Sequence, residues 1–380
     1  MVDVYVDCYL EHNLGDDLFL LTLLDRYRDR DDLLFHVWGD SAYQYLQSRY
    51  SNIKLHELPD ISGNLLQRQM MRHHTIRQKM MCVAGADATL QIGGSIFMEW
   101  HGGNVRKRLK DYWYWLSRKK WMKYLYGAPD ASFIIGSNFG PWQTKNYWRT
   151  MHSLFGRYCT DVCFRDHYSA ELFADLGNVR CAPDVLFGVN LPQQTKRRQL
   201  FVSVIDLNRK GEGISSKREM YQTWLVQQMQ NMAKRGYEIV ICSFCQYEGD
   251  GDVVAELAQQ LKKLGIDVRT ILYANNDYEI LSEISASEYV IASRFHATIL
   301  GLAAGCKVLP VLYSNKTRHV LEDLEYPITS CVDLLDTSDT VFEHEVVSSN
   351  VFPVAETIRK SFCQFQAFDK WLEQYAPCTR

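Results

Sequence analysis

The segment most able to do chemistry is Ser293-Arg294-Phe295-His296, which ends an apolar run and opens a stretch of small residues. Arg294 and His296 stand two apart in what reads as an extended turn, so both side chains can face one side. A guanidinium suits a carboxylate or phosphate bidentately, and an imidazole can give and take a proton near neutral pH. His296 would open a helix, where the partial positive charge favours a neutral imidazole or a bound anion. The next apolar run delivers Tyr313-Ser314-Asn315-Lys316-Thr317-Arg318 to the same rim. A lone histidine is usually structural. Here Arg294, His296 and Lys316 are expected on adjacent strand ends, which favours a site, with Ser293 and Ser314 supplying hydroxyls. Between Ser293 and Arg318 there is no Asp or Glu. That composition suits a small, strongly anionic donor better than a sugar nucleotide, whose ribose hydroxyls want a carboxylate.

Further candidates follow other apolar runs. His12-Asn13-Leu14-Gly15-Asp16-Asp17 precedes an apolar helix, where Asn13 or Asp16 could meet a ligand or simply cap the helix. Gly93-Gly94-Ser95 permits close approach of a ligand or of another backbone. Arg165-Asp166, with Ser169 beyond, puts a second guanidinium at a strand end, and Pro183-Asp184 closes the last strand of that half. Neither GxGxxG nor a P-loop is present, so a dinucleotide or ATP is not indicated.

Positioning such residues at carboxyl ends requires parallel sheets. Short apolar runs alternate with helical spacing throughout, the pattern of an α/β protein. Strands are expected at Val4–Tyr9, Leu34–Trp38, Ile53–Leu58, Ala88–Ile92, Ser132–Gly136, Val162–Arg165 and Val179–Val185. A polar break at Gly188–Arg198 follows. The pattern then restarts at Leu200–Ile205, Glu238–Ser243, Val268–Leu272, Tyr289–Ala292 and Lys307–Leu312. The expected organisation is two Rossmann-like domains, 1–188 and 199–345, with parallel sheets facing across a cleft. A tail, 346–380, has helical spacing over Ala355–Tyr375 that suits crossing back to the first domain.

The 380 residues are too many for one ordinary core. At 47% hydrophobic and 23% charged the chain is globular, and a net charge of −3 gives no reason to expect nucleic acid as a partner. No apolar run is long enough to span a membrane, and the opening MVDVYVDCYLEHN does not resemble a signal peptide. Eleven scattered cysteines suggest reduced thiols and a cytoplasmic protein. Cys242-x-x-Cys245 has no second pair, so packing at a strand end is expected there and no metal.

Val105–Tyr126 carries eight Lys or Arg, one acid and seven aromatics. Such a mixture favours headgroups, so Arg106–Tyr126 could hold the protein at the inner face of a membrane. At helical spacing, however, the charges fall all round the axis, and a solvated basic helix packed in part on the first domain is somewhat favoured. Trp100, His101, Trp142 and Trp148 could stack on a sugar ring or pack in the core.

The ordered set Asn13-Leu14-Gly15-Asp16, Gly93-Gly94-Ser95, Arg165-Asp166-x-x-Ser169, Pro183-Asp184, Ser293-Arg294-Phe295-His296 and Tyr313-x-x-Lys316 resembles the polysaccharide pyruvyl transferase family over roughly residues 1 to 330. Phe295 departs from it, standing where many relatives have an aliphatic residue. The resemblance implies a GT-B-like pair of Rossmann domains, the first for the acceptor and the second for the donor. It implies phosphoenolpyruvate as co-substrate with no cofactor, and a ketal pyruvate placed on two hydroxyls of a saccharide, in a lipid-linked precursor of a capsule or exopolysaccharide. Arg165 and Arg294 then match donor-holding arginines, with Lys316 close by. His296 matches the acid/base, and Asp16 the N-terminal acid. Asn13, Gly94, Ser95 and Asp184 fall on the acceptor side. A sugar-nucleotide glycosyltransferase and a non-catalytic sugar- or anion-binding module are the rival readings.

Overall fold

In a computed structural model, residues 1–59, 64–99, 105–336 and 342–375 are described. Their contacts divide the chain into two compact units. The first comprises Met1–Leu10, Phe19–Val185 and the chain from Phe362 onward, and the second comprises Glu11–Leu18 and Leu186–Ser361. These bounds depart from those expected at sequence level, residues 186–188 falling in the second unit. Residues 11–18 group with the second unit, and so do residues 346–361 of the tail.

The first unit holds β1 (Val2–Asp7), β2 (Leu33–Gly39), β3 (Ile53–Glu57), β4 (Ala88–Ile92), β5 (Ala131–Ser137), β6 (Asp161–Phe164) and β7 (Val179–Cys181). They form one sheet in the order β3-β2-β1-β4-β5-β6-β7, with every pair parallel. Strands β4, β5 and β6 are buried along their whole length, the polar Thr89, Gln91 and Asp161 included, as in a parallel sheet covered on both faces.

The second unit repeats the plan with β8 (Arg197–Ser203), β9 (Glu238–Ser243), β10 (Arg269–Leu272), β11 (Ser287–Ala292), β12 (Lys307–Leu312) and β13 (Val332–Asp333). Its order is β10-β9-β8-β11-β12-β13, again all parallel. In each sheet the order reverses beside the first strand, at β1/β4 and at β8/β11. Open α/β sheets bind ligands beyond the carboxyl ends at such a switch point.

Two expectations change in detail. Only Val179–Cys181 of the Val179–Val185 run joins the ladder, because Pro183 has no N–H to donate, and Val185–Gly188 turns as a 3-10 helix. Strand β13 is two residues long, too short to show any period. Cys242 and Cys245 are buried at the end of β9, as expected.

Gln364 explains how the C-terminal segment is held in the first unit. Its side-chain oxygen accepts from Gly136 N at 2.9 Å, and its amide donates to the carbonyls of Phe164 (3.2 Å), Ala182 (2.6 Å) and Pro183 (3.2 Å). Gly136 has φ +75, and a Cβ there would lie 2.7 Å from Phe19, so no other residue fits. Gln364→Ala strips buried backbone groups of their partner at about 1–3 kcal/mol each. Urea denaturation should show a loss of at least that size, and an unchanged midpoint would refute the role.

The helix Val105–Gly127 packs its second half on the first unit. Met122, Leu125 and Tyr126 are buried, and Arg118 donates to the Ile96 carbonyl at 2.6 Å. Trp113 and Tyr114 stay exposed. No helix of the described residues is long and apolar enough to cross a membrane. Trp148 donates to the Leu172 carbonyl at 3.1 Å and stacks on Phe173, and Trp142 lies against Phe139, so both serve the core. Trp100 and His101 lie outside the described residues.

Candidate active site

The carboxyl ends of the second sheet gather most of the chemistry. Strand β11 ends at Ala292, and Arg294 N-caps the helix Phe295–Ala303 beside the β8/β11 switch point. Arg294 is nearly buried and holds Asp250 side-on, Nε to Oδ2 at 2.8 Å and Nη2 to Oδ1 at 2.5 Å. Its Nη1 donates to Glu248 Oε2 at 2.7 Å, and Lys210 pairs with the same oxygen. Among the described residues, three of the five guanidinium N–H groups are thereby engaged, which leaves one N–H on each of Nη1 and Nη2.

Both carboxylates come from the turn after β9, 46 and 44 residues before Arg294. The rim is therefore not made of cations and hydroxyls alone, as the Ser293–Arg318 composition suggested. Asp250 is fully buried against Arg294, whereas Glu248 is half-exposed and shares one oxygen between Arg294 and Lys210. Burial pushes the Glu248 carboxyl up, but the charges of Arg294 and Lys210 outweigh it and hold it at about 2, below the ordinary 4.5. At Asp250 burial wins, and its carboxyl is raised despite Arg294. For Glu248 the unfolded chain takes up the proton first as pH falls, so its share of stability is lost between about 4.5 and about 2. Glu248→Gln should flatten that part of a stability-versus-pH curve measured by urea denaturation; an unchanged slope would exclude the pairing.

The segment before the helix Leu14–Arg26 packs on the same sheet ends. Asn13 bridges to Cys245, Leu14 N donates to the Phe244 carbonyl at 3.0 Å, and Asn13 Oδ1 accepts from Gly15 N at 3.2 Å. Asn13 is thus a helix cap lying with the second unit, not among the groups of the first sheet with which it was expected. Gly15 meets the Nδ1 edge of His296: a Cβ on Gly15 would sit 1.6 Å from that nitrogen. His296 therefore stands at the start of its own helix and against the start of another, a doubly electropositive position. Asp16 is half-buried in that first turn, while Asp17 is buried and accepts from Tyr273 OH at 2.7 Å.

Ser293 is fully buried and accepts from Tyr221 OH at 2.7 Å, so it packs the site's floor instead of presenting a hydroxyl to a donor. Ser314 N-caps the helix Asn315–Asp323, and its Oγ and the Thr317 Oγ1 are buried with no hydrogen-bond partner among the described residues. Lys210 and Lys316 lie 5.5 and 5.9 Å from the Tyr313 ring centroid.

The first unit has its own cluster. Arg165 is 2% exposed, donating to Asp184 Oδ2 at 2.9 Å and to Asn138 Oδ1 at 2.6 Å. Ser95 Oγ donates to the same Asn138 oxygen at 3.3 Å. A Cβ on Gly94 would lie 2.6 Å from Arg165 Nη1, so the guanidinium rests on the glycine. Asp184, expected to meet the acceptor, is fully buried and holds Arg165. Asn138 was missed in the sequence, as were Glu248, Asp250 and Lys210. Asn138 directly follows β5, where the strand-end rule points to it, whereas Glu248, Asp250 and Lys210 lie five to seven residues beyond the ends of β9 and β8.

A family model described as polysaccharide pyruvyl transferase matches residues 13–315, a span containing both clusters. The chain belongs to that family. Amylovoran biosynthesis protein AmsJ of Erwinia amylovora is 22% identical over 267 residues, 63% of this chain and 60% of AmsJ. The match thus spans less than two thirds of that relative. Among solved structures, Anabaena HepE in complex with UDP and glucose aligns over 98% of this chain and 100% of its own, with TM-score 0.50 and 13% identity. UDP-GlcNAc 2-epimerase from Neisseria meningitidis, bound to UDP-GlcNAc, aligns over 98% and 92%, with TM-score 0.51 and 10% identity. At such identities these two speak for the fold, and with the two Rossmann-like sheets they make this pyruvyl transferase family member GT-B-like.

Proposed function

We propose that the chain transfers pyruvate from phosphoenolpyruvate, as a ketal, onto two hydroxyls of a saccharide in a surface-polysaccharide precursor. The observation that carries this reading is His296 held against Gly15 beside Arg294 at the β8/β11 switch point.

The reaction protonates the methylene carbon of the donor, and the neighbouring carbon gains oxocarbenium character. One sugar hydroxyl attacks there and phosphate leaves. A second hydroxyl closes the ketal, and the two hydroxyl protons are released. His296 serves as the group that delivers and removes protons, a role worth roughly a hundred- to ten-thousand-fold. The open end of Arg294, Lys316 and the hydroxyls of Ser314 and Thr317 at a helix start suit a carboxylate and a phosphate. Asp16, next in the chain to Gly15, is assigned the second proton-handling role. Arg165 is assigned to the donor by its match to the family. Gly94 and Ser95 are assigned to the acceptor side.

A lipid-linked acceptor fits the exposed Trp113 and Tyr114 on a basic helix, which would meet the inner face of the membrane. The sugar-nucleotide reading is weakened because Asp250 is fully buried against Arg294 and Glu248 is paired with Arg294 and Lys210.

The test is phosphate release from phosphoenolpyruvate with lipid-linked galactose, mannose and glucose acceptors. Release should depend on acceptor and be lost in His296→Ala and Arg294→Ala. Tight binding of a UDP-sugar without any phosphate release would replace this function with glycosyl transfer.

A further inference from the structure

A second group of chemically capable side chains lies in the first unit, on β2, β3 and the helix Leu65–Ala84. His36 Nδ1 is 3.0 Å from His56 Nε2, and Cys82 Sγ is 3.8 Å from that same nitrogen. The ligand atoms of the three residues lie within 4.8 Å of one another. A tetrahedral zinc, with bonds of about 2.0–2.1 Å to nitrogen and about 2.3 Å to sulfur, puts its nitrogens about 3.3 Å apart and nitrogen from sulfur about 3.6 Å. The spacings here already approach those edges.

The surroundings are those of a metal site. His36 Nε2 faces Asp3 Oδ1 at 2.7 Å, which fixes the proton on that nitrogen and leaves Nδ1 as the lone pair turned to the cluster. Trp38 stacks on His56 with ring centroids 5.0 Å apart and planes 17° apart, which sets the plane of the imidazole. All three candidate ligands are half-buried, so an ion can enter.

We propose that His36, His56 and Cys82 form a zinc site with Asp3 as its outer-sphere carboxylate and solvent as fourth ligand. As the ion binds, the proton between the two imidazoles moves to His56 Nδ1, leaving both rings neutral, and the Cys82 thiol proton is released to solvent. It ties the edge strand β3 and its neighbour β2 to the covering helix. This site is separate from the residues assigned to pyruvyl transfer and stands whether or not that assignment holds.

The test uses the untagged full chain stripped with EDTA and titrated with zinc chloride by calorimetry. One equivalent should bind. Cys82→Ser or His56→Gln should abolish the saturable site, and Asp3→Asn should weaken it about ten- to a hundred-fold. Cobalt(II) should give a thiolate charge-transfer band that Cys82→Ser lacks. Zinc at a hundred times its dissociation constant should raise the melting temperature by about 5–10 °C. Circular dichroism checks that each variant folds, and should His56→Gln fail, Cys82→Ser decides. Absence of a saturable equivalent, or an equivalent that survives Cys82→Ser, would overturn the site.

Discussion

Gly15→Ala should reduce acceptor-dependent phosphate release about a hundred- to ten-thousand-fold while leaving the protein folded. The added methyl would need the space 1.6 Å from His296 Nδ1, so the imidazole must leave its place. The backbone gives no reason for loss of stability. Gly15 lies in the first turn of the helix Leu14–Arg26, where alanine is the better helix former by up to about 1 kcal/mol. The variant therefore separates placement of the histidine from its presence. Because both substitutions remove one proton-handling group, Gly15→Ala combined with His296→Ala should be no slower than His296→Ala alone. A Gly15→Ala protein with parental turnover would remove His296 from the chemistry.

Asp250→Ala should destabilise the second unit by about 3–5 kcal/mol, equivalent to about 10 °C in melting temperature. Its carboxylate is 0% exposed and Arg294 is 8% exposed, so truncation strands a buried guanidinium. Asp250 also accepts from Cys245 N at 3.2 Å, which ties the turn after β9 to the same charge. Replacing the pair together, as Asp250→Leu with Arg294→Met, should recover most of the stability because no charge is left buried without a partner. Under the proposed function that double variant should nevertheless be inactive, because Arg294 is the arginine proposed to hold the donor. A melting temperature for Asp250→Ala within a degree of the parent would show that the pair is open to water.

These outcomes bear on what a linear reading can reach. The strands were legible because short, mostly apolar segments alternate with helical stretches, as at Ala88–Ile92 and Glu238–Ser243, whose bounds match the structure. The strand-end rule then led to Arg165, Arg294, His296 and Lys316, since parallel topology places whatever follows a strand at one edge of its sheet. It also offered Asn13 as a helix cap, and the bond from Gly15 N makes it one.

The partners of those residues were decided by the tertiary structure alone. A count of acids within Ser293–Arg318 could not register Glu248 and Asp250, because β9 and β11 flank β8 and their ends meet across it, not along the chain. The protein partners of Asp184 and Ser293 were hidden for the same reason: burial against Arg165 and Tyr221 is set by packing, on which residue type is silent. His36, His56 and Cys82 stand 20 and 26 residues apart on two strands and a helix, so no spacing motif announces them. The sequence by itself determined the two parallel sheets, the family and the cations at the strand ends, since each depends on local pattern. Which charges are matched, which hydroxyls are spent and which glycine touches which ring depended on contacts between distant segments, and only the packed fold brings those into being.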